Sequence, residues 1–206
     1  MNPESRYVLP NIEEKTPYGH RNIDPYSKLF EDRTIFLGTG IDDTVANDIM
    51  SQLLILEQND ADADITLYIN SPGGSLTALT AILDTMYYVN NDITTVCLGQ
   101  AASAAAVLLS GGTPGKRMAL PNARIMIHQP AIEGGGRGQA SDIEIQAQEI
   151  IRMSDWLTQE LHETTGQPLK VLAKDLERDK FLTAPMAKEY GIIDHIIERK
   201  NKKAKK

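Results

Sequence analysis

The chain has one cysteine in 206 residues, Cys97, so it can build neither an internal disulfide framework nor a multi-cysteine metal site. Cys97 sits inside an apolar run, where a free thiol behaves as a small hydrophobe and suits a reducing compartment. No apolar stretch reaches the ~18 residues that a membrane span requires. The opening Met1-Asn2-Pro3-Glu4-Ser5 has no hydrophobic signal core. These features lead to the expectation of a cytoplasmic protein with no membrane contact. Positive charge is also in deficit. A formal net charge of −7 argues against a nucleic-acid surface covering the molecule. The one basic run, Arg199, Lys200, Lys202, Lys203, Lys205 and Lys206, reads as a solvated, flexible C-terminal tail over 199–206.

What is present suffices for one domain. The length supports a proper core, and 41% hydrophobic with 24% charged residues is ordinary for a globular protein. Residues 1–33 are polar and punctuated by Pro3, Pro10, Pro17 and Pro25, which reads as an exposed arm or loop region. From there to about 198 the pattern is that of an α/β domain with mostly parallel strands. Strands are expected at 33–38, 65–70, 95–100, 117–120, 123–128 and 192–197. Between them, Val45, Ile49, Leu53 and Leu56 recur at helical spacing, and 76–89 reads as a second helix. A long helix is expected over 141–163. Ser141 and Glu144 would form its capping box, and Ile143, Ala147, Ile150, Leu157 and Leu161 an apolar stripe. Gly166 with Pro168 marks its end. Short helices follow at 171–178 and 184–190.

Three places could do chemistry. Ser103 lies where the strand 95–100 gives way to a helix of small residues, Ala101-Ala102-Ser103-Ala104-Ala105-Ala106. Alanines leave room for a substrate carbonyl, and a helix start offers free N–H groups and a positive field. A serine in such a place is also an ordinary helix cap. Ser71-Pro72-Gly73-Gly74-Ser75 joins a strand to a helix, and paired glycines there suit an oxyanion hole or a phosphate. A tight turn needing positive φ explains the same glycines. No Gly-Lys-Ser/Thr follows, so this is not a P-loop. Of four histidines, His128 ends a strand, where α/β sites gather, and is the best candidate for a general base. His20, His162 and His195 lie in the arm, the long helix and the last strand. The orienting carboxylate stays open among Asp175, Glu177 and Asp179, which crowd one charged segment.

Four segments together carry a family resemblance: Tyr68-Ile69-Asn70-Ser71-Pro72-Gly73-Gly74, Gly99-Gln100-Ala101-Ala102-Ser103, Met126-Ile127-His128-Gln129-Pro130 and Arg178-Asp179-Lys180-Phe181-Leu182-Thr183-Ala184. In order and approximate spacing they resemble ClpP, the proteolytic subunit of the Clp protease, from about residue 7 to 197. The resemblance implies a crotonase-like stack of ββα units with a protruding handle helix at 141–163. It also implies stacked heptameric rings forming a closed barrel. Ser103 would be the nucleophile, His128 the general base and Asp179 the orienting carboxylate. The N–H groups of Gly74 and Ala104 would form the oxyanion hole. No metal or other cofactor is implied in this chain, because ATP would be used by a partner unfoldase of the ClpX, ClpA or ClpC type. Tyr68, Tyr88, Leu98, Met118 and Ile197 fall at the docking positions for that partner.

The implied activity is a serine endopeptidase acting on unfolded chains. The residue after the nucleophile is usually methionine in this family and is Ala104 here, and the segment 133–138 is unusually rich in glycine. Both features, with Arg6-Tyr7-Val8-Leu9-Pro10, look more like paralogues that work in mixed barrels with a second ClpP ring. The rival readings are a crotonase-type acyl-CoA enzyme and a mainly structural ring subunit that docks an unfoldase.

Overall fold

The computed structural model describes residues 10–17, 19–130 and 138–198. Strands β1 (Ile12–Thr16) and β2 (Gly19–Ile23) make an antiparallel hairpin that leads into helix α1 (Pro25–Glu31). Asp24 caps α1 by accepting from the N–H groups of Tyr26 and Ser27, and Pro25 occupies a first-turn position that needs no N–H. Phe30 packs against the core, and the Tyr26 ring meets Phe36 edge-on at 5.7 Å. The end of the proline-punctuated segment thus stays largely exposed and touches the domain through Phe30 and Tyr26. Residues 1–9 and the basic tail at 199–206 lie outside the described residues.

The rest of the chain runs β3 (Thr34–Leu37), α2 (Asp43–Asn59), β4 (Ile65–Ser71), α3 (Leu76–Tyr88), β5 (Ile93–Ala102), α4 (Ala104–Ser110), β6 (Arg117–Ala119), β7 (Arg124–Ile127), α5 (Ala140–Thr165), α6 (Leu169–Asp175), β8 (Lys180–Thr183), α7 (Ala184–Tyr190) and β9 (His195–Ile196). Among the described residues β3 to β9 form one sheet, parallel except where β7 pairs with β8. Alternation along β4 buries Ile65, Leu67 and Ile69 on the face covered by helices.

The central strand β5 makes the site possible. Its first half pairs with β6 and its last three residues with β7, so the sheet forks there. Opposite β4 the register shifts: Ile69 pairs with Cys97, but Ser71 pairs with Ala101. The extra length is taken up at Gly99, where a Cβ would stand 2.5 Å from Asn70 Oδ1. This irregularity turns the end of β5 toward β7. All seven residues of α4 are buried, so the alanine-rich helix that follows Ser103 is packed in the core.

Helix α5 differs from expectation at its start. It begins at Ala140, and its reciprocal cap joins Gln139 and Asp142, not Ser141 and Glu144. Of the expected stripe only Leu157 and Leu161 are buried and Ile143 is exposed, as are Ile145 and Ile151 outside the stripe. The C-terminal half of α5 packs on the domain, and the N-terminal half leaves Ile143, Ile145 and Ile151 uncovered.

Candidate active site

Three adjacent strand ends converge. Ser103 follows β5, His128 follows β7 and Asp179 precedes β8. Ser103 has φ 55° and ψ −125°, a left-handed conformation that costs a non-glycine residue energy and recurs at sharp strand-to-helix turns bearing nucleophiles. Its N–H donates to the Met126 carbonyl at 2.8 Å, which ties the turn to β7. The hydroxyl makes no cap hydrogen bond to α4. It lies instead 2.8 Å from His128 Nε2, and His128 Nδ1 lies 3.1 Å from Asp179 Oδ1. Ser103, His128 and Asp179 thus form one continuous chain of contacts. The choice among the crowded carboxylates falls on Asp179, while Asp175 pairs with Lys180.

The glycine turn lies against the serine turn. Gly73 has φ 90°, and a Cβ on it would stand 2.4 Å from the Ala102 carbonyl and 2.8 Å from Ser103 Cβ. Ser71 Oγ holds this turn, donating to the Thr39 carbonyl at 2.6 Å and accepting from the Gly73 N–H at 3.1 Å. Ile41 pairs with the turn, donating to the Gly73 carbonyl and accepting from Ser75 N–H. In extended backbone successive N–H groups alternate in direction, so the Gly74 N–H between them faces away from Ile41. Ala104 opens α4, and the first N–H groups of a helix have no intrahelical acceptor. Both groups border a cleft of about 820 Å³ shared with Ser103 and His128, and Ile150, Met153 and Leu157 of α5 form an apolar wall of it.

Tyr68, Leu98, Met118 and Ile197 are half-buried. Strand alternation and the pairing of Tyr68 with Val96 and Val96 with Met118 put the first three on the sheet face away from α2 and α3. Ile197 follows β9, and its N–H donates to the Ala119 carbonyl. Tyr88, at the end of α3, is 74% exposed and lies on a different element. The glycine-rich residues 133–137 lie outside the described residues. Sequence reasoning did not find Gln129, whose N–H donates to the Leu176 carbonyl and whose Nε2 donates to the Glu177 carbonyl. Nor did it find the Arg117–Asp194 pair or the lining role of Met153. Only Gln129 had a signal, its place beside His128 in the motif segment 126–130. Among the described residues no cluster of three or more His, Cys, Asp or Glu is placed to hold a metal, and no helix is long and apolar enough to cross a membrane.

Fold and site together define an α/β protein with a serine, histidine and aspartate aligned on neighbouring strand ends beside a glycine turn. The chain belongs to the Clp protease family, whose model matches residues 17–200. It is 61% identical over 197 residues to ATP-dependent Clp protease proteolytic subunit 1 of Tropheryma whipplei strain Twist, covering 96% of this chain and 95% of that protein. Proteolytic subunit 1 of Rhodococcus jostii strain RHA1 is 61% identical over 204 residues, 99% of this chain and 92% of the relative. Proteolytic subunit 2 of Mycobacterium leprae strain TN is 60% identical over 198 residues, 96% of this chain and 92% of the relative. The fold is that of ClpP, and family membership favours peptide cleavage over acyl-CoA chemistry.

Proposed function

We propose that the chain is a serine endopeptidase subunit that cuts unfolded proteins inside a barrel of two stacked heptameric rings. One observation carries the catalytic part: the unbroken run from Ser103 Oγ through the imidazole to Asp179, at 2.8 and 3.1 Å. A neutral hydroxyl is a weak nucleophile, so the Ser103 proton passes to His128 Nε2 as Oγ attacks the peptide carbonyl. Asp179 accepts from Nδ1–H, fixing the tautomer that leaves Nε2 free and stabilising the imidazolium that forms. The Gly74 and Ala104 N–H groups bind the oxyanion of the tetrahedral intermediate. His128 then returns the proton to the leaving amine, and water releases the acyl group from Ser103 by the same steps.

The assembly part is supported by family membership and by the exposed Ile143, Ile145 and Ile151 on α5, which a second ring would cover. An AAA+ unfoldase of the ClpX, ClpA or ClpC type would use the ATP and feed the chamber in the cytoplasm, so this chain needs no cofactor. Relatives carry the numbers 1, 2 and 3 as subunit names, which supports a mixed barrel with a second paralogue. Ala104 supports it too. Its backbone donor is intact, but the cleft lacks the apolar contact that a methionine offers substrate.

The test is turnover of a fluorogenic peptide by the pure chain and by its mixture with a second ClpP-type subunit whose own nucleophile is replaced by alanine. Low activity alone, gained on mixing and abolished by Ser103→Ala in this chain, is expected. Activity that persists in Ser103→Ala overturns the mechanism, and full activity alone overturns the mixed-barrel part.

A further inference from the structure

The loop that carries Asp179 is fastened by side chains outside the triad. Leu176, Glu177, Arg178 and Asp179 connect α6 to β8. Asp175 closes α6 at one end of this loop, and Lys180 opens β8 at the other. Their side chains meet: Lys180 Nζ lies 2.9 Å from Asp175 Oδ1, and the Tyr190 hydroxyl donates to Asp175 Oδ2 at 2.9 Å. The ammonium also lies 5.3 Å from the centre of the Tyr190 ring. Both oxygens of one carboxylate are thus engaged, and the two ends of a four-residue loop are joined directly.

The geometry transmits this to Asp179. Alternation along β8 puts Lys180 on the side of the buried Leu182, while Asp179, the residue just before the strand, meets His128. Fixing Lys180 therefore fixes the direction in which Asp179 leaves the backbone. Asp179 has little else to hold it. Its side chain is 58% exposed and, among the described residues, meets His128. The Asp175 side chain, by contrast, is only 17% exposed. Burial opposes its ionisation, but the Lys180 ammonium and the Tyr190 hydroxyl outweigh burial and hold its carboxyl below the ordinary value. The Asp175 carboxyl of this clamp is therefore ionised at neutral pH, and a partly covered pair is less screened by salt than a surface pair.

We infer that Asp175, acting through Lys180 and Tyr190, is a positioning residue for Asp179 and thereby for the His128 ring. The inference rests on the triad reading above. Small displacements of a catalytic group cost rate steeply, so Asp175→Asn is expected to lower kcat about 10- to 100-fold. KM should stay within about twofold, because substrate binding is not what the clamp supports.

A plain staple between α6, β8 and α7 would also lose something on Asp175→Asn, and a double-mutant cycle separates the two roles. Peptide turnover is measured for Asp175→Asn in the full chain and again in the Asp179→Ala background, in the assembly that cleaves and with any partner ring inactivated. If Asp175 acts through Asp179, its substitution costs nothing further once Asp179 is gone, and Asp175→Glu recovers part of the rate. An equal fractional loss in both backgrounds overturns the inference. So does an unchanged kcat, or a loss confined to KM. Should Asp175→Asn fail to assemble, Tyr190→Phe removes a single hydrogen bond and reads the same cycle at smaller amplitude. Ser103→Ala and Asp179→Ala in the same assay test the triad itself. Cleavage at the parent rate in both defeats the triad reading whatever the clamp variants do, whereas a steep fall in both, with residual turnover still readable in Asp179→Ala and an inert clamp in the parent, defeats only the inference.

Discussion

Asp179 stands opposite His128 one rung beyond the last paired residues of β7 and β8, Ile127 and Lys180. The 3.1 Å contact between their side chains thus lies just past the end of the antiparallel ladder. On the other side of β7, Ser103 extends the parallel pairing of Ala102 with Met126 by one residue and donates its N–H to the Met126 carbonyl. One four-residue strand therefore sets both distances of the triad. Such an arrangement gives precision, because ladder geometry fixes strand ends far better than free loops do.

The glycine turn makes the first prediction. A Cβ at Gly74 would fall 2.1 Å from the Ile41 carbonyl oxygen, so Gly74→Ala must displace the backbone that aims this N–H into the cleft. Loss of one oxyanion donor typically costs about 10²- to 10³-fold in kcat, and a fall of that order is expected in peptide turnover. A kcat unchanged in Gly74→Ala would remove this N–H from the oxyanion hole.

The Arg117–Asp194 pair makes the second. Arg117 is 8% exposed. Its guanidinium binds both Asp194 oxygens and the carbonyls of Ser110 and Thr164, joining the ends of α4 and α5. Burial opposes ionisation of Asp194, and Arg117 outweighs it, so the Asp194 carboxyl titrates below its ordinary value. The stability this supplies is complete above the unfolded-state value of about 4 and is lost as pH falls through the lower folded value. Asp194→Asn leaves a buried guanidinium unpaired and should cost about 3–5 kcal/mol at neutral pH. Denaturant titrations should also show that the variant loses less stability than the parent between pH 5 and 2, as order-of-magnitude bounds on that window. Parallel pH profiles for the two proteins would contradict the assignment.

Much of this architecture was legible from side-chain spacing. The alternation in 65–70 and the spacing of Ile49, Leu53 and Leu56 gave β4 and α2, and the small residues around Ser103 gave the turn into α4. What was not legible depended on long-range pairing. Asp175, Glu177 and Asp179 are equivalent as a local charge run, and only the β7–β8 register distinguishes them. The strand β8 itself is four residues long, too short to show a period. At the start of α5, Ser141 and Glu144 fit the usual capping pattern better than Gln139 and Asp142 do, yet the helix is capped earlier, at the pair that the local pattern does not favour. Helix α1 was hidden because Pro25 reads as a breaker when it is in fact a favourable first-turn residue.

The uncovered face of α5 leads to the third prediction. Sedimentation or native mass measurement should find seven or fourteen subunits, alone or with a second ClpP-type ring, in keeping with the proposed heptamers. Ile151→Glu, placed on an exposed apolar position, should shift the population toward single rings. A chain that stays monomeric at every concentration, with and without partner subunits, would contradict the barrel.

The outer face of the sheet yields the fourth. Tyr68 is half-buried beside Val96 and Phe36 in the ladder, where an apolar loop from an unfoldase could bind. With several such loops engaged at once, each weak contact is multiplied by effective concentration. Tyr68→Ala should reduce unfoldase-dependent protein degradation more than cleavage of small peptides. Equal loss of both would assign Tyr68 to the fold instead of to docking.

The most direct test of the central claim is to map a fluorophosphonate adduct by mass spectrometry. The reagent reports a serine whose proton can be taken as it attacks, so it reads the Ser103–His128 contact itself. One adduct is expected, on Ser103, absent in Ser103→Ala and formed far more slowly in His128→Ala. An adduct on another residue, or labelling that survives Ser103→Ala unchanged, would contradict the account.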